Sequence, residues 1–202
     1  MRSLTENSTD LEKIEQTLLL GPIQIIVRTD ELELGRCYWN VMNLVSRKGG
    51  DLVLGWKILI WPTALAVAVH HGVWRDPATG DLIDVTKSIP DDTESHTAFV
   101  ADESLKVDLT RPPFIPSKYV SISEDTLVTE WIEADKDQAE AAGEFADHMF
   151  SLGATWKPIS GYSLSQESAH LIDFHRKNQA NKMLESVSKR MAERFSSQFP
   201  GT

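Results

Sequence analysis

The chain contains a single cysteine, Cys37. One thiol cannot close an intramolecular disulfide, and it cannot build a cysteine-rich zinc site. Basic residues are also scarce. Lys and Arg number 20 against 30 Asp and Glu, which leaves a formal net charge of −10. Nucleic-acid binders carry a basic stripe and anionic lipid attracts basic segments, so neither nucleic acid nor a membrane is an expected partner. Long apolar runs are missing too. The strongest, Ile58 to Val69, is interrupted by Pro62 and is too short to span a bilayer. No N-terminal stretch joins a basic start to an apolar run, as a secretory leader does. The expectation is a protein of the reducing cytoplasm, or an effector exported without a classical signal peptide.

What is present is globular. Hydrophobic residues make up 41% of the 202 positions and charged residues 25%, a balance that supports a packed core rather than disorder. Residues 1–19 read as a polar segment, frayed over 1–15, with a short helix around Leu11–Leu18. "IQIIV" (Ile23–Val27) is rich in β-branched residues and reads as a strand. From Cys37 to Ser46 the apolar Val41, Leu44 and Val45 fall at helical spacing, and Gly49-Gly50 ends the run. Strands are predicted over Leu52–Trp61, Leu65–Trp74 and Leu82–Thr86, and "HTAFV" adds one more. "DPATG" supplies the turn before Leu82. "RPPFIPSKY" reads as an extended connector. Beyond it the pattern is helical, over roughly 125–151 and 164–196. The layout is an α+β domain over 20–120, followed by a helical region over 121–202.

Cys37 stands where a helix begins. Free N–H groups and the positive end of the helix dipole favour thiolate there, although a lone cysteine is more commonly a small buried hydrophobe. His71 and Asp84 flank the "DPATG" turn. If Arg75 faces Gly80 across that turn, His71 falls directly opposite Asp84, with Cβ atoms roughly 5 Å apart. A carboxylate so placed fixes ring and tautomer, and the other ring nitrogen meets the nucleophile. A structural hydrogen bond across a hairpin is the plainer alternative. Strand alternation turns His70 to the opposite face, away from the cluster, which makes a metal shared with His71 a weak reading. No metal or cofactor is expected.

A cysteine at a helix start, then a histidine on a strand, then an aspartate on the next strand resembles the papain-like superfamily in its transglutaminase-like arrangement. Cys37-Tyr38-Trp39-Asn40-Val41, Gly49-Gly50, Gly55-Trp56, His71-Gly72-Val73-Trp74 and Asp84-Val85-Thr86 are also similar to a family of uncharacterised bacterial proteins. Its pattern runs Cys-x-x-Asn-Val, Gly-Gly, Gly-Trp, His-x-Val-Trp, Asp-x-Thr. Many of its members carry a cysteine-rich zinc-binding tail that is not found here. The resemblance covers roughly residues 20–120. It implies a papain-like core, a Cys-bearing helix packed on an antiparallel sheet, and a Cys37–His71–Asp84 triad.

Such a site needs oxyanion donors. The Cys37 N–H is one candidate, and Gln24 or Asn40 would supply another. Trp56 and Trp74 wall the site or fill the core, as large aromatics commonly do. Glu144 and His148 stand at i,i+4 on the last part of the chain, a spacing open to metal but more often a salt-bridging face. The expected function is a cysteine-dependent hydrolase or deamidase acting on a carboxamide or acyl bond of a protein or small amide. The alternative is a non-catalytic immunity or adaptor protein on the same fold, because a fold does not dictate activity.

Overall fold

The computed structural model describes residues 1–195 apart from 6, 7, 9, 91 and 159. The chain divides into two compact units. One holds Met1–Lys106 with Ser117–Ser123, and the other holds Val107–Pro116 with the chain from Glu124 onward. The architecture is α+β.

The first unit contains, in order, β1 (Arg2–Ser3), α1 (Leu11–Leu18), β2 (Gln24–Leu32), α2 (Cys37–Lys48), β3 (Asp51–Trp61), β4 (Leu65–Arg75), β5 (Leu82–Thr86), β6 (His96–Ala101) and β7 (Lys118–Ser121). In place of the expected antiparallel sheet, five strands close into a barrel in the order β3-β6-β2-β5-β4, with β4 returning to β3. One pair, β2 with β5, is parallel. Strands β3 and β4 pair along their whole length, from Asp51 opposite Arg75 to Trp61 opposite Leu65. Each then has a second edge to satisfy, and closure removes those edges. Gly55 permits it. A Cβ there would lie 2.1 Å from the Val100 carbonyl oxygen and 2.4 Å from the Phe99 ring.

The strand period of two sorts the side chains. Ile26, Val73 and Phe99 pack together as one buried cluster, with Val53, Leu82 and Ala101 against them. On the other face of β4 and β5, Trp74 and Val85 receive Val41 and Leu44 of α2. Burial of Val41 and Leu44 stabilises the helix docking by about 1.5–3 kcal/mol each. The apolar spacing read in the sequence is therefore the seam that seats α2 on the barrel.

Two readings at the edges of this unit need correction. The N-terminal segment is not a frayed polar tail. Arg2 and Ser3 pair with Ile60 and Leu59, and Leu4 and Ile14 are fully buried. Positions 6, 7 and 9 of that segment lie outside the described residues. The Pro-rich stretch Val107–Pro116 groups with the helical unit, and the following strand β7 returns to pair with β4.

The second unit contains α3 (Thr126–Ser151), the hairpin β8 (Thr155–Lys157) and β9 (Gly161–Ser163), a 3-10 turn at Ala169–Leu171, and α4 (His175–Phe195). The expected helix over 164–196 is shorter and begins at His175, whose N–H donates to the Asp173 carboxylate at 2.8 Å; residue 196 lies outside the described residues. Among the described residues, no helix is long and apolar enough to cross a membrane.

Candidate active site

The pairing between β4 and β5 stops early. Trp74 opposes Ile83 and Arg75 opposes Leu82, and no ladder pairs His71 or Gly72 with β5. Cys37, the first residue of α2, reaches this gap. No side chain caps α2 at its start, so its first N–H groups lack a capping side-chain acceptor. The Gly72 backbone N–H donates to the Cys37 sulfur, and the thiol also hydrogen-bonds His71. Glycine is needed at position 72 because a Cβ would lie 2.8 Å from the Tyr38 ring and 2.9 Å from Leu52. The close seat of α2 on β4 thus depends on the residue that holds the sulfur.

His71 and Asp84 meet. The Nε2 of His71 lies 3.0 Å from Asp84 Oδ1, with the geometry of an ion pair rather than an in-line hydrogen bond. The register expected from the turn is wrong, however. Arg75 faces Leu82 rather than Gly80, so Asp84 stands two positions out of step with His71. A slip of two keeps both side chains on the same face, whereas a slip of one would have separated them. The contact is diagonal.

The carboxylate is wholly buried and heavily supported. Its Oδ1 accepts from the Thr86 N–H at 3.0 Å, and its Oδ2 accepts from the Thr97 hydroxyl at 2.7 Å. Lys57 Nζ lies 3.9 Å from Asp84 and 3.8 Å from Asp92, and donates to Ser88 Oγ at 2.8 Å. Ser88 in turn donates to Asp92 at 2.5 Å, and Arg28 donates to the same carboxylate oxygen at 2.7 Å. Ser3 closes the network through its N–H and hydroxyl, at 2.9 and 2.8 Å from Asp92. The sequence reading missed Lys57, Thr97, Arg28 and Asp92. Two signals were available: Lys57 interrupts the apolar run of β3, and Arg28 follows the apolar run of β2.

The electrostatics follow from these contacts. Burial pushes the Cys37 thiol up, but the charge of His71, its hydrogen bond and the Gly72 N–H outweigh burial, and the net displacement is downward. Burial would lower His71, yet Asp84 and Cys37 raise it to about 10. Burial would raise Asp84, but His71, Lys57 and Thr97 hold it down to about 2. Near neutral pH the arrangement favours a buried imidazolium between carboxylate and sulfur. It draws the sulfur toward thiolate, the form that attacks electrophilic carbon.

His70 turns to the face where α2 packs, but it does not leave the site, contrary to the sequence expectation. Its Nδ1 lies 2.7 Å from the Tyr38 hydroxyl, and it borders the same cleft as Cys37 and His71. That cleft has a volume of about 200 Å³, and Leu34, Leu59, Val69 and Ile89 give it aliphatic walls. None of the other four expected site residues lines it. Trp74 donates to the Gly49 carbonyl at 2.9 Å and packs under α2. Trp56 donates to Asp102 at 2.8 Å, with Lys118 4.5 Å above its ring. Gln24 lies on a different groove with Arg75 and Asp81. Asn40 gives its two amide hydrogens to the Glu33 carbonyl at 2.8 Å and the Thr86 hydroxyl at 3.0 Å. In the second unit, Glu144 pairs with Arg176 at 3.5 Å and His148 Nε2 meets the Leu171 carbonyl at 3.1 Å. The salt-bridging alternative describes Glu144 there.

Compared with known proteins, the chain matches no protein-family model, no curated protein and no solved structure.

Proposed function

We propose that the protein is a cysteine-dependent hydrolase or deamidase of papain-like type, which cleaves a carboxamide or acyl bond through Cys37, His71 and Asp84. One observation carries the reading: a downward-displaced thiol, a raised imidazole and a buried carboxylate stand in sequence beside an open cleft. In this reaction the Cys37 thiolate attacks the carbonyl carbon, and electrons of the C=O bond move onto oxygen. Collapse expels the amine or ammonia, which takes a proton from His71, and leaves a thioester. Neutral His71 then takes a proton from water as it attacks the thioester, which releases the acid and regenerates the cysteine. Asp84 orients the ring and stabilises its charged form.

Ammonia release from glutamine- and asparagine-containing peptides tests this, alongside iodoacetamide labelling of the native protein. Ammonia release and rapid labelling, with the former abolished in Cys37→Ala and His71→Ala, support the reading. A thiol that labels only after denaturation overturns it.

A further inference from the structure

The cysteine reaction needs donors for the oxygen that becomes negative, and the two side chains expected to serve are elsewhere. Asn40 has both amide hydrogens committed, and Gln24 lies on another groove. His70 borders the cleft instead. Burial pushes the Tyr38 phenol well above its ordinary range, so it remains protonated. A neutral phenol can donate or accept in the 2.7 Å contact; with the phenol as donor, His70 Nδ1 is the acceptor. An imidazole that accepts at Nδ1 carries its proton on Nε2. Burial and the neighbouring charge of His71 push His70 down to about 4, so the ring is neutral. Its Nε2 has no hydrogen-bond partner among the described residues and is not sealed from solvent. Two adjacent histidines thus have opposite states. His71 is charged by its carboxylate and sulfur, while His70 is neutral and hydrogen-bonded to a phenol.

We propose that His70 is an oxyanion donor: its Nε2–H, fixed by the Tyr38 hydrogen bond at Nδ1, bonds to the substrate carbonyl oxygen when the acyl carbon is attached to Cys37. This rests on the cysteine-hydrolase reading above. As the sulfur–carbon bond forms, the C=O electron pair moves to oxygen, and His70 meets that charge with a hydrogen bond. It transfers no proton, because a neutral imidazole N–H is too weak an acid to lose it. His71 remains the proton donor to the leaving group. Removal of one such donor lowers turnover by about 10²–10³-fold.

Two reactions of Cys37 separate this role from a structural one. Alkylation by iodoacetamide displaces iodide at a saturated carbon and forms no oxyanion. Acylation by p-nitrophenyl acetate passes through one and releases a stoichiometric burst of p-nitrophenol. Both rates are measured on the full chain, as wild type, His70→Ala, His70→Gln and Tyr38→Phe. The expected result is wild-type alkylation in His70→Ala with acylation about 100-fold slower or more. His70→Gln, which keeps an N–H donor, recovers part of that loss, and Tyr38→Phe acylates at an intermediate rate. A parallel loss of both reactions in His70→Ala, or retention of both, overturns the proposal. If His70→Ala does not fold, unchanged acylation in Tyr38→Phe overturns it. A wild-type protein that is alkylated but never acylated removes the hydrolase reading itself, and this inference with it.

Discussion

His71 and Asp84 meet diagonally, two positions out of register, at 3.0 Å. Their contact is made by tertiary geometry rather than by direct cross-strand pairing. It joins the end of a strand ladder to a buried polar network that runs through Lys57 and Asp92 to Ser3. The consequences are measurable.

Cys37 alkylation reports the sulfur's charge. In the wild type the rate rises with an apparent pKa below the 9.0 of a free thiol, because His71 and Gly72 stabilise thiolate. In His71→Ala that counter-charge is gone while burial and the Gly72 N–H remain, so the apparent value moves upward from the wild type's. Iodoacetamide kinetics across pH distinguish the two. A variant that titrates like wild type would remove His71 from the account.

Asp84→Asn leaves His71 without its buried partner, while Lys57 keeps Asp92, and costs about 3–5 kcal/mol in chemical denaturation. The gap depends on pH. His71 is raised, so its contribution is complete below about 6.5 and is lost as pH rises through about 10. Asp84 is depressed, so its contribution is complete above about 3.8 and is lost as pH falls through about 2. The difference between wild type and variant is therefore widest between those bounds, from about pH 4 to 6.5. A gap that does not change from pH 3 to 10 would contradict the ion pair.

His70 contributes the opposite trend. Its depressed value means that the folded state resists protonation, so stability falls as pH drops from about 6.5 toward 4. The slope is at most about 1.4 kcal/mol per pH unit. His70→Gln flattens that part of the stability profile. An identical acid profile in the variant would assign the acid sensitivity to other groups.

Gly55→Ala and Gly72→Ala test different things. At Gly55 the added methyl meets backbone, the Val100 carbonyl, and it costs about 1–3 kcal/mol or prevents folding. At Gly72 the methyl meets Tyr38 and Leu52 side chains, which shift α2 away from β4. Gly72→Ala is expected to slow Cys37 alkylation more than it lowers the denaturation midpoint, since the sulfur loses its seat beside the N–H. Equal effects on both readouts would show that position 72 matters only for packing.

Local chemistry was legible along the chain. Helix α2 was read from the spacing of Val41, Leu44 and Val45, and it ends at Lys48, immediately before Gly49-Gly50. Strand β5 spans Leu82–Thr86, the range expected for the strand that follows the "DPATG" turn. Cys37, His71 and Asp84 were singled out because a nucleophile, a base and a carboxylate are distinctive residue types in that order. Barrel closure, the register after "DPATG" and the position of His70 were set only by tertiary structure. They depend on where strand ladders begin and stop. That is decided by non-local contacts: Gly55 against Val100, α2 against Trp74 and Val85, and Ser3 against Asp92. Residue type and period specify which face a side chain takes. They do not specify how far along a strand pairing continues, and the gap that admits the Cys37 sulfur exists because β4 and β5 stop pairing at Trp74.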